Sequence, residues 1–502
     1  MNTTRTFITS SIPYINGKPH IGFAMELVQS DALARFYRLF GREVFFSTGT
    51  DEHGLKVQQS AAKEHVSEEV YSEKVAQFFI DLVKCLDISS DNFIRTSTFP
   101  GHKEASQKIW NLVSDAGYLY KKSYEGLYCV GCERFYTEKE LTDGTHCPIH
   151  KTPVEKVSEE NWFFKLSAFS GQIQERIESG ELRIVPEERK KEILNVIKGG
   201  LEDISVSRSK EKLHWGIPVP GDDTQVMYVW FDALTNYLSV LGWGSQNESL
   251  FDEFWKSEES EVIHVIGKDI IRQHAAIWLG MLLAANLRLP SEIMSHGFLN
   301  IDGEKISKSL GNVITADQVT DKYGVDALRY YLLSQVPTLG DGDFTWQHFH
   351  EVYEADLKNG LGNLVNRITN IVEKKLGGEV PPQEIEKEFG FDFDHIKKLL
   401  YERNLKAICE EVRSKLTLCD ELINKNELFK ETEKKLSDIY AILCVLRSAA
   451  VILTPIIPET AKKVLHALNT PNIVLADVQN MKSIAFSGVA KPTTPLFPPI
   501  EK

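Results

Sequence analysis

The apolar positions of the first hundred residues alternate between two periods. "TFITSSIPY" is β-branched and strand-like, with its apolar segment at Phe7–Ile12. Behind it Ile21, Met25, Val28, Ala32, Phe36 and Leu39 recur at helical spacing and predict a helix over 21–39. "EVFFSTGTDEHG" then reads as a second strand running into a polar turn. Strand, helix, strand in this order predicts an α/β fold with a parallel sheet and ligands at its carboxyl ends. The alternation breaks near Tyr118. From there to about Val185 turns, aromatics and cysteines dominate, as in an inserted module. The α/β pattern resumes through "EVIHVIGKDII" and a helix over 270–286. Beyond about Glu351 the strands vanish, and "LKNGLGNLVNRITNIVEKKL" opens an almost wholly helical region. Within it "GGEVPPQEIEKEFG" reads as a surface linker, and the Pro-rich "TTPLFPPIEK" is expected to pack in an extended form.

Composition narrows the picture. A chain of 502 residues exceeds one ordinary core, so about two to four domains are expected. Its 42% hydrophobic and 25% charged content is that of a soluble globular protein. The apolar stretch Ala275–Ala285 stops at Asn286, too short to span a bilayer. The start lacks the basic-then-apolar layout of a signal peptide, so the expected location is cytoplasmic, with no membrane partner. Seven cysteines in that compartment point to metal or free thiols rather than disulfides. The net charge of −14 argues against wholesale nucleic-acid binding while leaving room for a local basic face.

Three stretches carry candidate chemistry. In "CVGCERFYTEKELTDGTHCPIH", Cys129 and Cys132 form a C-x2-C pair and Cys147 and His150 a C-x2-H pair. Four such ligands suit one tetrahedral Zn2+, and a closed four-ligand shell is structural rather than catalytic. His146 competes with His150 for the fourth place, and buried thiols placed by chance are the simpler alternative. In "DGEKISKSLGN", Lys305 and Lys308 bracket a glycine-bordered loop that could close over a polyphosphate, or be no more than a solvated basic loop. In "KPHIGFAME", His20 stands at the start of the helix, where free N–H groups and the positive dipole end suit phosphate. Gly22 would let backbone approach a ligand closely. A lone histidine here is more often a cap.

Taken together, "HIGF" and "KISKS" resemble the His-Ile-Gly-His and Lys-Met-Ser-Lys-Ser signatures of class I aminoacyl-tRNA synthetases. The segments "SIPYINGKPHIG", "TGTDEHG", "YCVGC", "HWGIPVPGDDTQVMYVWFDALTNY", "VIGKDII" and "DALRYYLLSQVP" resemble the methionyl-tRNA synthetase family, in its order and over essentially the whole chain. The zinc knuckle is similar to the bacterial one-zinc form. The resemblance implies a Rossmann-like catalytic domain (1–117 and 186–300), an inserted zinc-binding connective module (118–185), a KISKS loop and stem-contact region (301–350), and an all-α anticodon-binding bundle (351–502).

It also implies roles. The family activates methionine with ATP, releasing pyrophosphate, and transfers it to the 3′ end of elongator and initiator tRNA(Met). Positioning and electrostatics, aided by Mg2+ with ATP, dominate such displacements. His20, Lys305 and Lys308 would be catalytic. His20, Gly22, Gly267, Asp269 and Lys308 would bind ATP. Asp51 would take the substrate ammonium, and Ile12, Tyr14, Trp230, Ala233, Leu234, Tyr237 and His274 would form the side-chain pocket, where aromatic rings favour a thioether. "YVWFDALTNYL" also reads as an amphipathic core segment. Asn363 and Arg367, at i,i+4 on one helix face, would read the anticodon, with Phe429 in place of the usual tryptophan. A solvated helix face is the simpler reading of that pair. The departure from pattern is Phe23, where the family has its second histidine. Phe23 keeps an aromatic body but removes a donor: either it packs locally and the remaining donors suffice, or the chain is a catalytically weakened, synthetase-derived tRNA-binding protein. Another class I synthetase is a separate alternative. No segment is long enough for the editing insertion of the leucine, valine or isoleucine enzymes, and a monomer is expected.

Overall fold

In the computed structural model the described residues are 4–131, 134–149, 151–306, 311–430, 432–479 and 485–500. They form two compact units. The first comprises Met1–Pro19, Glu43–Val83 and Ser90–Ser295. Its centre is a six-stranded sheet built from β1 (Arg5–Thr9), β2 (Glu43–Thr50), β3 (Asn92–Arg95), β4 (Arg183–Val185), β5 (Ser260–Gly267) and β6 (Glu292–His296). The spatial order is β3-β2-β1-β5-β6-β4. The β1–β2, β2–β3, β1–β5 and β4–β6 pairs are parallel, with Phe7 opposite Phe45 and Val262. Phe7, Phe46, Ile94, Val262 and Ile293 are all fully buried. Burial on both faces explains why "EVIHVIG" reads as a near-continuous apolar run rather than an alternation. Gly49 is obligatory in β2, since a Cβ there would stand 2.0 Å from the Ile94 carbonyl oxygen.

The segment after Tyr118 is a long antiparallel ribbon of Leu119–Cys129 against Glu155–Phe164, flanked by Arg134–Tyr136 and Ile204–Ser205. The helix expected over 270–286 is not one regular helix. A tight turn at Lys268–Ile270 leads into a wide turn at Gln273–Trp278 and only then into a regular helix at Leu279–Ala284. The His274 ring supplies a physical reason: its Nδ1 bonds the Ile270 carbonyl at 3.0 Å, the acceptor a regular helix gives to the backbone N–H of residue 274.

The second unit comprises His20–Arg42, Lys84–Ser89 and His296–Lys502. Helix α1 (Ile21–Leu39) occupies the predicted span. It is anchored by Asp31, whose carboxylate meets Arg329 at 2.7 Å with both side chains fully buried. Burial opposes the Asp31 charge, but Arg329 and Arg35 outweigh it and hold the carboxyl below its ordinary range. A three-stranded sheet of Leu299–Ile301, Glu304–Lys305 and Gly342–Phe344 carries the start of the lysine loop. Its hairpin turns at Asp302 and Gly303, with φ of 51° and 78°, as a "DG" turn requires. The rest is helical, as expected. Leu436–Leu453 is the apolar core helix of the bundle; by composition Thr432–Leu453 could cross a membrane, but 83% of that window is buried inside the protein. The Pro-rich tail packs without regular structure and with bends along it, Phe497 buried and the Tyr353 hydroxyl donating to the Pro498 carbonyl at 2.7 Å.

Candidate active site

In the first unit the implicated residues gather at the carboxyl ends of β1, β2 and β5. Beyond β1 and β2 the chain stays paired: Tyr14 bridges Asp51, Asp51 N–H donates to the Pro13 carbonyl at 3.0 Å, and Ile15 N–H to the Asp51 carbonyl at 3.2 Å. These backbone bonds pair the buried Asp51 with the half-buried Tyr14. Gly267 closes β5, and Asp269 follows it in an exposed turn. "YVWFDALTNYL" folds as two short helices, Val229–Ala233 and Asn236–Ser239. Ala233, Leu234 and Tyr237 are buried, while Ile12 and Trp230 pack half-exposed at the edge of the same core.

The aromatic wall is built by hydrogen bonds. Since His274 Nδ1 donates to Ile270, its Nε2 accepts the Tyr237 hydroxyl at 2.7 Å. Tyr237 in turn lies on His264, ring centroids 4.2 Å apart, and Trp230 meets His274 edge-on at 6.4 Å. His264 is fully buried between Thr9 Oγ1 at 2.8 Å and the Trp278 indole N–H at 3.2 Å. Burial, and then His274, push its pKa well below the ordinary value, so it stays neutral. With the Tyr237 hydroxyl and the His274 and His264 nitrogens spent on neighbouring groups, this part of the wall offers aromatic faces. That suits an uncharged, polarisable side chain. Sequence reading missed His264, and also Asp232, His53 and His102, which form a buried cluster within the first unit. The available signal was an ionisable residue inside an apolar run, "VWFDAL" and "EVIHVIG", where burial demands a partner.

In the second unit His20 caps α1, its Nδ1 accepting the Gly22 N–H at 3.1 Å. The expectation of open N–H groups at this helix start is corrected. Ile21 N–H donates to the Ile314 carbonyl at 2.8 Å, and Phe23 and Ala24 N–H to the His20 carbonyl at 3.0 and 3.2 Å. What the turn offers an anion is the dipole field and the imidazole, which in the neutral tautomer carries its proton on Nε2. Gly22 is needed for the cap itself, since a Cβ there would stand 2.9 Å from two His20 ring atoms. Phe23 is half-buried on the same turn. A Cβ on Gly22 would also lie 3.5 Å from Ile306, so the lysine loop begins against this turn. Lys305 Nζ sits 5.1 Å over the Phe298 ring, and Asn312 Nδ2 donates to the Lys305 carbonyl at 3.1 Å. Lys308 lies outside the described residues.

The model of the class I tRNA synthetases (M) matches residues 6–156 and 139–369. A methionine–tRNA ligase of Rhizobium meliloti is 40% identical over 99% of this chain and 97% of its own. One of Clostridium acetobutylicum is 41% identical over 92% of this chain and 73% of its own. The Mycobacterium tuberculosis methionyl-tRNA synthetase in complex with methionyl-adenylate is 35% identical, with a TM-score of 0.91 over 99% of this chain and 100% of that one. The chain belongs to the class I methionyl-tRNA synthetase family.

Two further regions singled out by that family's pattern are placed as follows. Asn363 and Arg367 share the helix Asn363–Leu376, Asn363 exposed and Arg367 half-buried. Arg367 is paired with Asp420 and with the Asn424 side-chain oxygen at 2.7 Å, both on the helix Leu405–Lys425. Phe429 is 49% exposed in the turn after that helix, so its ring is available for stacking.

Of the four expected zinc ligands, Cys129 and Cys147 are buried in one small cluster with Tyr136 and Leu141, and neither is in a disulfide. Two buried thiols in one cluster are donors fit for a soft metal. Cys132 and His150 lie outside the described residues, and among those described no group of three or more metal-binding side chains forms. His146 bonds Thr145 Oγ1 through Nδ1 at 2.9 Å, which engages one of its two ring nitrogens.

Proposed function

We propose that the chain is a methionine–tRNA ligase, in which each unit supplies its own part of the chemistry. The observation that carries the reading is the pocket of the first unit. A buried residue, Asp51, is bridged to Tyr14 at the strand ends, and in the neighbouring wall of Trp230, Ala233, Leu234, Tyr237 and His274 the Tyr237 hydroxyl and both His274 nitrogens are engaged. Asp51 binds the methionine ammonium, and Ile12 and Tyr14 complete the pocket. Asp269 and Gly267 hold the ribose end of ATP.

In the first step a methionine carboxylate oxygen attacks the α-phosphorus. A P–O bond to the β-phosphate breaks, giving methionyl-adenylate and pyrophosphate. His20, donating from Nε2, with Lys305 and Lys308, stabilises the charge that builds on the phosphates. Mg2+ accompanying ATP neutralises phosphate charge. In the second step a hydroxyl at the 3′ end of tRNA attacks the activated carbonyl, and AMP leaves. Asn363, Arg367 and Phe429 read the anticodon of initiator and elongator tRNA(Met). Arg367, already oriented by Asp420 and Asn424, loses little freedom when it meets a base edge. Cys129, Cys132, Cys147 and His150 would hold one structural Zn2+, and the working protein is a monomer.

Methionine-dependent ATP–pyrophosphate exchange tests this directly. Activity with methionine and none with leucine, valine, isoleucine or cysteine supports it. Absence of exchange together with retained tRNA binding would favour the synthetase-derived binding protein, a reading that rests on Phe23.

A further inference from the structure

Asp232 is a fully buried acid in an otherwise apolar turn. Its Oδ2 meets His53 Nδ1 at 2.7 Å and its Oδ1 meets His102 Nε2 at 2.8 Å, while His102 Nδ1 bonds Ser239 Oγ at 2.8 Å. Burial opposes the charge, but His53 and His102 outweigh it and hold the carboxyl at about 2. Both rings must therefore present an N–H to the carboxylate, which sets their tautomers and orientations. The cluster lies within the first unit and joins segments far apart in sequence. His53 is two residues from Asp51. Asp232 is two residues from Trp230 and adjacent to Ala233. His102 opens the helix His102–Asp115.

We propose that Asp232, acting through His53 and His102, is a positioning residue that holds the ammonium-binding turn and the thioether-binding turn at the separation of one methionine. Apolar side chains of equal volume could fill this space at no loss of stability. The carboxylate adds direction: the bond from Oδ2 to His53 ties the Asp51 turn to the Trp230 turn, and the bond from Oδ1 to His102 fixes the rotation of the carboxylate against the helix His102–Asp115. The inference rests on the methionine-pocket reading above.

The test compares His102→Leu, His102→Gln and Asp232→Asn with Trp230→Ala. Methionine KM and ATP KM are read in the exchange reaction, methionine Kd by tryptophan fluorescence, and Tm alongside. His102→Leu should raise methionine KM and Kd at least about tenfold, since a shift of order 1 Å costs about 100-fold. ATP KM should stay within twofold. His102→Gln, whose amide N–H can still reach Asp232, should recover most of the loss. Asp232→Asn should weaken methionine more than ATP, because an amide offers one acceptor to two donors. It carries the test if His102→Leu does not fold. If Trp230→Ala weakens methionine while the His102 and Asp232 variants do not, the positioning role is wrong and the pocket reading stands. If Trp230→Ala also has no effect, the pocket reading itself fails. Equal losses for methionine and ATP in all three variants, tracking Tm, would make the cluster a stability element only and overturn the proposal.

Discussion

Gly22→Ala separates the catalytic geometry of the α1 turn from its stability. A Cβ at position 22 would stand 2.9 Å from His20 Cε1 and Nδ1, closer than real Cβ atoms approach. The His20 side chain is exposed, so the ring can yield by turning away, at the expense of its 3.1 Å bond from the Gly22 N–H. Losing the cap costs about 1 kcal/mol. Alanine in place of glycine within a helix returns up to about 1 kcal/mol. The two nearly cancel, so Tm should move by no more than a few degrees. Catalysis has no such compensation. A ring that turns to relieve the contact displaces Nε2 by roughly 1 Å, and a misplacement of that size costs about 100-fold. Outright removal of a preorganised donor, as in His20→Ala, costs about 100- to 1000-fold in kcat, or roughly 2.7–4 kcal/mol, and sets the ceiling. The assay is methionine-dependent pyrophosphate exchange with ATP varied. The loss should fall on kcat rather than on the KM for ATP, because the interaction strengthens as charge builds. Gly22→Ala with full activity and unchanged Tm would show that the observed His20 geometry does not set the rate. His20→Ala with full activity would remove the turn from the mechanism altogether.

Four further outcomes are expected. Phe23→His should leave the exchange rate unchanged or raise it modestly; an inactive wild type rescued by this change would mean that Phe23 has silenced the site. Metal analysis of the pure protein should find one Zn2+ per chain, and Cys129→Ser should lower solubility and tRNA charging more than exchange; zinc-free protein with full charging activity would remove the claim. Arg367→Ala should reduce charging of tRNA(Met) strongly while leaving exchange nearly intact, because exchange uses no tRNA. It also leaves Asp420 without its ion-pair partner, so a Tm measured alongside separates recognition from folding. His264, held well below its ordinary value, makes stability pH-dependent in one direction. Its unfolded form takes up a proton near pH 6.5 and its folded form resists, so its contribution is complete above about 6.5 and is lost as pH falls below it. Urea midpoints measured from pH 7.5 to 5 should decline, and His264→Gln should flatten that decline.

Residue order and periodicity determined much of this protein. The strand–helix–strand opening, the span of α1 and the switch to an almost wholly helical region were legible because burial on one face leaves a local period in the chain. The motif residues were legible because chemistry restricts residue type at each position. What the tertiary structure decided are pairings between distant residues, which no local period encodes. The helix expected over 270–286 forms but is widened over Gln273–Trp278, where the His274 ring takes the Ile270 carbonyl and Tyr237 takes the other side of that ring. The N–H groups of α1 that looked open to a ligand are occupied, one of them by the Ile314 carbonyl from the far end of the lysine loop. Asp232 looked like part of an amphipathic turn. It is instead the buried link between His53 and His102, 179 and 130 residues away in sequence. A buried charge must find partners wherever the chain path brings them, so sequence alone marks the need and only the fold names the partner.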